Sequence, residues 1–100
     1  MSIQFTTPAT VRPKGYQQLT LSGIATLTVP AGAKLAWLQA EVQDARFTDD
    51  DDTTVSASLG MILKAGANPI PYVGDLSKLS FIQVVAGSIV NVTYFAYSGQ

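Results

Sequence analysis

"SIVNVTYFAY", Ser88–Tyr97, carries the clearest periodicity in the chain. Val90, Val92, Tyr94 and Ala96 fall on one phase, and Asn91, Thr93 and Phe95 on the other. Successive side chains of a pleated strand point to opposite sides, so alternation of this kind predicts a strand with one buried face. Phe95 and Tyr97 share a phase that Tyr94 does not. One of these aromatic sets must leave the core, and it is then a candidate for an interface.

The same period extends towards the N-terminus. "YVGDLSKLSFIQVVAGS" holds another strand before Ala86-Gly87-Ser88, and "KAGANPIP" (Lys64–Pro71) reads as a turn around Gly66 and Asn68-Pro69. In "TTVSASLGMIL" (Thr53–Leu63), Val55, Ala57, Leu59 and Met61 share one face and Thr54, Ser56 and Ser58 the other. Gly60 inside that run signals a bulge or a close backbone approach. "KLAWLQAEVQDARF" (Lys34–Phe47) is rich in helix formers, but Ala36, Leu38, Ala40 and Val42 alternate with Gln39, Glu41 and Gln43. Period two outweighs propensity here, and a strand is expected. Trp37 falls on its polar phase, at the rim of the core or on a contact surface. "GYQQLTLSGIATLTVPAGA" (Gly15–Ala33) alternates on both sides of Ser22-Gly23 and reads as a hairpin stopped by Pro30-Ala31-Gly32. About seven or eight short strands with regular turn signals point to an all-β, antiparallel β-sandwich resembling a jelly roll.

One hundred residues make one domain, with residues 16–100 as the sandwich. Residues 1–15, "MSIQFTTPATVRPKG", alternate at Ile3 and Phe5 and are then broken by Pro8 and Pro13. They are either an extended arm that adds a strand to a neighbour's sheet or the first strand of their own domain. They lack the basic head and apolar run of a signal peptide, which fits synthesis in a cytoplasm. No apolar stretch approaches the ~20 residues that span a bilayer, so no membrane partner is expected.

Only 13% of residues are charged, against roughly a quarter in an ordinary soluble domain. Uncharged faces suit repeated contacts with other protein copies. The six basic residues are scattered, and no nucleic-acid partner is expected. The chain has neither His nor Cys, which removes the commonest general base and thiolate chemistry. No phosphate-cradling glycine motif occurs. Neither an enzyme nor a cofactor is expected.

Asp49–Asp52 form a run of four carboxylates. Hard cations take several oxygen ligands. Consecutive side chains in extended backbone diverge, however, and no glycine or closing glutamate follows as in a calcium loop. A solvated turn is the default, and no metal site is assigned. Arg46 precedes the run and is expected to pair with one of its aspartates. Trp37, Tyr72, Tyr94, Phe95 and Tyr97 could instead line a stacking platform for sugars or bases, although cores and subunit interfaces use the same residues.

"VPAGAKLAWLQAEVQDARFTDDDD" (Val29–Asp52), "SASLGMILKAG" (Ser56–Gly66) and "YVGDLSKLSFIQVVAGSIVNVTYFAY" (Tyr72–Tyr97), in that order, resemble a family of small structural proteins from tailed phages and prophages. The family's motifs run from Pro-x-Gly-Ala through an Asp-rich turn and Gly-Met-x-Leu to a last strand in Asn-Val-x-Tyr. This chain departs from them in Asp44-Ala45-Arg46 and in a fourth aspartate where Asp-Gly is expected. The resemblance implies a virion component: a capsid decoration or cement protein on the phage head, oligomeric (a homotrimer), with the major capsid protein or other virion subunits as partners. Ile3, Phe5, Trp37, Arg46, Phe95 and Tyr97 are the interface candidates. The other reading is a binding module of a fibre or tail that displays Trp37 or Tyr97 to host-surface glycans.

Overall fold

The computed structural model describes residues 11–50 and 52–97. The described residues form β1 (Val11–Thr20), β2 (Ala25–Thr26), β3 (Leu35–Glu41), β4 (Ala45–Thr48), β5 (Met61–Leu63), β6 (Ile70–Tyr72), one 3-10 turn (Leu76–Lys78), β7 (Ser80–Gln83) and β8 (Ile89–Tyr97). The strands make two four-stranded sheets, ordered β1-β8-β3-β6 and β2-β7-β4-β5. All strand pairs are antiparallel. The pairs β1–β8, β2–β7, β3–β6 and β4–β5 are nested, as though one long hairpin had been folded. Pairing of β3 with β8 and of β4 with β7 rolls that hairpin into two layers.

One core lies between the layers, consistent with a β-sandwich. The first sheet contributes Ala36, Leu38 and Ala40 from β3, and Val90, Val92 and Tyr94 from β8. The second contributes Ala45 and Phe47 from β4, Leu63 from β5 and Phe81 from β7. Leu76 of the 3-10 turn and Leu79, which caps it, belong to the same core. Burying each large apolar side chain stabilises the fold by ~1.5–3 kcal/mol. The polar groups drawn inward are satisfied. The Tyr94 hydroxyl donates to Gln17 Oε1 at 2.6 Å, and Ser88 Oγ donates to the Gln43 carbonyl at 3.0 Å.

Strict alternation in β8 translates directly into burial: Val90, Val92, Tyr94 and Ala96 are buried, while the residues between them are half-exposed. As a central strand, β8 has its polar phase on the outer face. Pro30 to Ala33 form the expected turn, with Gly32 at φ +85° and Ala33 N–H donating to the Pro30 carbonyl. Gly60 marks a close approach: a Cβ there would lie 3.0 Å from the Phe47 carbonyl oxygen.

Four expectations give way to the tertiary structure. Residues 15–33 are not a hairpin, because β1 pairs with β8 in one sheet and β2 with β7 in the other. Ser22-Gly23 is a crossover between layers. Lys34–Phe47 is not one strand either. The chain turns at Val42, whose φ is +73°, with Gln43 N–H donating to the Glu41 carbonyl. This is a γ-turn, and it sends β4 into the opposite sheet. Val42 is therefore 63% exposed rather than in the core. In Thr53–Leu63 only Val55 and Leu63 are buried, because Ser56–Leu59 curl into a tight turn that a strand cannot contain. The end of Lys64–Pro71 is strand: Ile70–Tyr72 pair with β3 as an edge, a position that tolerates Pro71.

Pro13 lies in β1, also an edge strand, at a register shift between Pro13 and Gly15. Residues 11–15 are thus part of β1. Ile3 and Phe5 lie outside the described residues.

Candidate functional site

The outer face of the first sheet is built from three strands in register. Tyr16 of β1 and Trp37 of β3 both oppose Thr93 of β8, and Trp37 also opposes Pro71 of β6. Two residues along β8, Gln18 and Gln39 flank Asn91. Two further on, Thr20 and Glu41 flank Ile89. Directly opposed residues share a face, so an aromatic row lies beside a row of three side-chain amides. Tyr16 is 60% exposed and Trp37 40%.

Asn91 is the hub of this face. Its Oδ1 accepts from the Tyr16 hydroxyl and from Gln18 Nε2, the latter at 3.0 Å, and its Nδ2 donates to Glu41 Oε2. Of the predicted interface residues, Trp37, Phe95 and Tyr97 belong to this face. Phe95 pairs with Leu35 and Tyr97 with Val11, and both aromatics are half-buried. Tyr94 and Tyr72 do not join them. Tyr94 is in the core, where burial pushes its phenol up to about 12.

Arg46 lies elsewhere, and among the described residues it pairs with no aspartate of the run. Its Nε donates to the Ala57 carbonyl at 3.2 Å and its guanidinium to the Gly60 carbonyl at 2.6 Å, bracing the turn before β5. Lys64 forms a salt bridge with Asp44, at 3.1 Å. Asp44 also accepts from Ala65 N–H at 2.8 Å. That backbone donor, then Lys64, holds its carboxyl below the usual range.

Asp49 and Asp50 take different partners. Asp49 accepts from the Tyr72 hydroxyl at 2.9 Å. Asp50 accepts from the Thr53 N–H at 2.8 Å and hydroxyl at 3.0 Å, which depress its pKa and close the loop. The Tyr72 phenol is raised to about 12, first by burial and then by Asp49. Among the described residues no three acidic groups gather as a metal site requires. A depression of about 270 Å³ beside this loop is lined by Ile24, Asp50, Thr54, Ser77, Lys78 and Ser80. Asp50 is committed there to Thr53, and Ser77 donates to Asp75.

A third surface is the flank where both sheets end. β5 pairs on one side only, with β4, and β6 only with β3. Leu59, Met61 and Ile62 are 52%, 66% and 45% exposed there, and Ile70 and Val73 are exposed on the β6 side. Periodicity places Gln18 and Asn91 on polar phases, but their meeting across 73 positions is a property of the fold. The apolar flank escapes the sequence because Met61 and Leu59 read as core.

No protein-family model, no curated protein and no solved structure matches the chain.

Proposed function

We propose that this protein is a structural subunit of a phage particle, a decoration protein that oligomerises and cements the head. The observation that carries the reading is the open flank at β5. β5 is a three-residue edge strand without charge or proline, and its Met61 and Ile62 side chains are exposed. With Leu59 they gather apolar surface on one flank, and patches of this kind mark protein contacts. The capsid subunits are the partner proposed for it. The nested order of the strand pairs supports the finer description as a jelly roll, a two-sheet fold found in viral capsid and lectin domains. The trimer and the head location rest on the resemblance to phage structural proteins. Among the described residues, no helix is long and apolar enough to cross a membrane.

Cementing needs no catalysis. Many weak contacts, each bridging neighbouring subunits, add through multivalency. The test compares particles with and without the protein under heat and low salt, and then adds back Met61→Asp/Ile62→Asp. Complete particles are expected to survive conditions that break depleted ones. The double variant is expected to fold but not to restore survival. Equal survival of depleted and complete particles would refute the cementing role.

A further inference from the structure

We infer that the outer face of the first sheet is a binding platform for a neutral, hydroxyl-rich glycan chain, with Trp37 and Tyr16 as stacking surfaces and Gln18, Asn91 and Gln39 as the hydroxyl readers. This site is independent of the β5 flank and of the virion assignment.

The spacing comes from the register. Tyr16 and Trp37 oppose the same residue, Thr93, from either side of β8. Their backbones are therefore two interstrand distances apart, ~9.5 Å. That matches the length of two linked pyranose rings in an extended chain. The C–H face of a pyranose packs on an aromatic ring as an apolar surface, while its rim of hydroxyls needs partners in the ring plane. Thr93 between the two aromatics is small enough to leave the row open.

The partners lie one row away. Gln18, Asn91 and Gln39 stand side by side across β1, β8 and β3. The Gln18 and Gln39 amides offer both a donor and an acceptor to a hydroxyl, while Asn91, whose Oδ1 already accepts two bonds, keeps one Nδ2 N–H for it. Asn91 is fixed in place by Tyr16, Gln18 and Glu41 before any ligand arrives. That preorganisation lowers the entropy cost of binding. The same network ties the Tyr16 ring to the amide row, so stacking and hydroxyl recognition are set by one framework.

Charge selects the ligand class. Across the three rows of this face the one charged side chain is Glu41, and it is anionic. Nothing there attracts a sulfated, uronic or phosphate-bearing chain, and Glu41 disfavours one. A neutral polysaccharide fits. A second copy of the protein is the competing occupant.

Trp37 is the sole tryptophan of the chain, so its emission reports on this face alone. The experiment titrates the full-length protein with neutral β-linked hexasaccharides (cellohexaose, chitohexaose, laminarihexaose) and with an acidic hyaluronan oligosaccharide. Emission and calorimetry are both recorded, with light scattering alongside. A saturable emission shift with at least one neutral hexasaccharide is expected, and none with hyaluronan. Gln39→Ala leaves the fold and Trp37 in place and is expected to weaken binding several-fold. Trp37→Ala, read by calorimetry, is expected to weaken it ~tenfold or more. Three outcomes overturn the inference: no response to any neutral hexasaccharide at millimolar concentration, a response to hyaluronan alone, or a self-associated species that Trp37→Ala dissociates. None of them bears on particle survival, so the cementing role stands or falls separately.

Discussion

Adding one methyl group at Gly60 should be the most damaging small change in this protein. The residue sits at φ +134°, a region almost closed to side chains. A Cβ there would lie 3.0 Å from the Phe47 carbonyl oxygen, 3.1 Å from Val55 Cγ2 and 3.3 Å from Arg46 Cβ. Two of those neighbours are in β4, so the backbone cannot retreat without disturbing its pairing with β5 and β7. Strain at such a φ costs about 1–3 kcal/mol, and forced overpacking adds about 1–3 kcal/mol. Gly60→Ala should therefore lose ~2–6 kcal/mol, a large share of a small domain's stability. Two other glycines separate the contributions. Gly66 has φ +78° but nothing within 4 Å, so Gly66→Ala isolates the backbone cost at ~1–2 kcal/mol. Gly23 has neither a positive φ nor a neighbour, so Gly23→Ala should be near neutral. Urea unfolding of the three variants, with the slope checked for constancy, gives the ranking. If Gly60→Ala cost no more than Gly66→Ala, the close approach of Gly60 to β4 would be wrong.

The remaining predictions concern the corners, the clamp and the titrating groups. Val42→Gly should raise the urea midpoint by relieving a β-branched residue at φ +73°; a fall would count against the γ-turn. Arg46→Met removes two charge-assisted bonds to the Ala57 and Gly60 carbonyls and should cost ~1.5–3 kcal/mol. Arg46→Lys should recover only part of that loss, as measured by the same unfolding, and full rescue would mean the fork is not used. Tyr72 and Tyr94 both have phenols raised to about 12 in the fold. The folded state then holds protons that the unfolded chain releases, so this stability is complete below ~pH 10 and falls as pH rises towards 12. Asp44, Asp50 and Asp75 are shifted the other way. Their contribution is present above the ordinary carboxylate range and is lost as pH falls through the lowered values. Thermal scans across pH should show both losses, and Asp44→Asn should flatten the acid limb.

Where one run of residues settled its own environment, the sequence was readable. β8 alternates strictly, and so does its burial; Trp37 lies on a polar phase and is exposed. The turn at Pro30–Gly32 and the tight spot at Gly60 follow from residue types with narrow conformational preferences. The errors have a different origin. Ser22-Gly23 turns the chain whether it returns to the same sheet or crosses to the other. Val42 looks like one more core position until the chain bends beneath it. Leu59 and Met61 keep the period of a strand, yet a four-residue turn held by Arg46 intervenes.

Periodicity, sparse charge and the absence of histidine and cysteine by themselves determined an all-β chain with uncharged faces and no thiol or imidazole chemistry. The tertiary structure alone decided that β1 meets β8, that β3 and β4 part company at Val42, and that Tyr16, Trp37 and Asn91 share a surface. Alternation encodes which side of a strand is buried, but a backbone hydrogen bond is nearly the same whichever strand supplies it. The choice of partner therefore falls to how whole side-chain sets fit in the common core, and no local stretch contains that information.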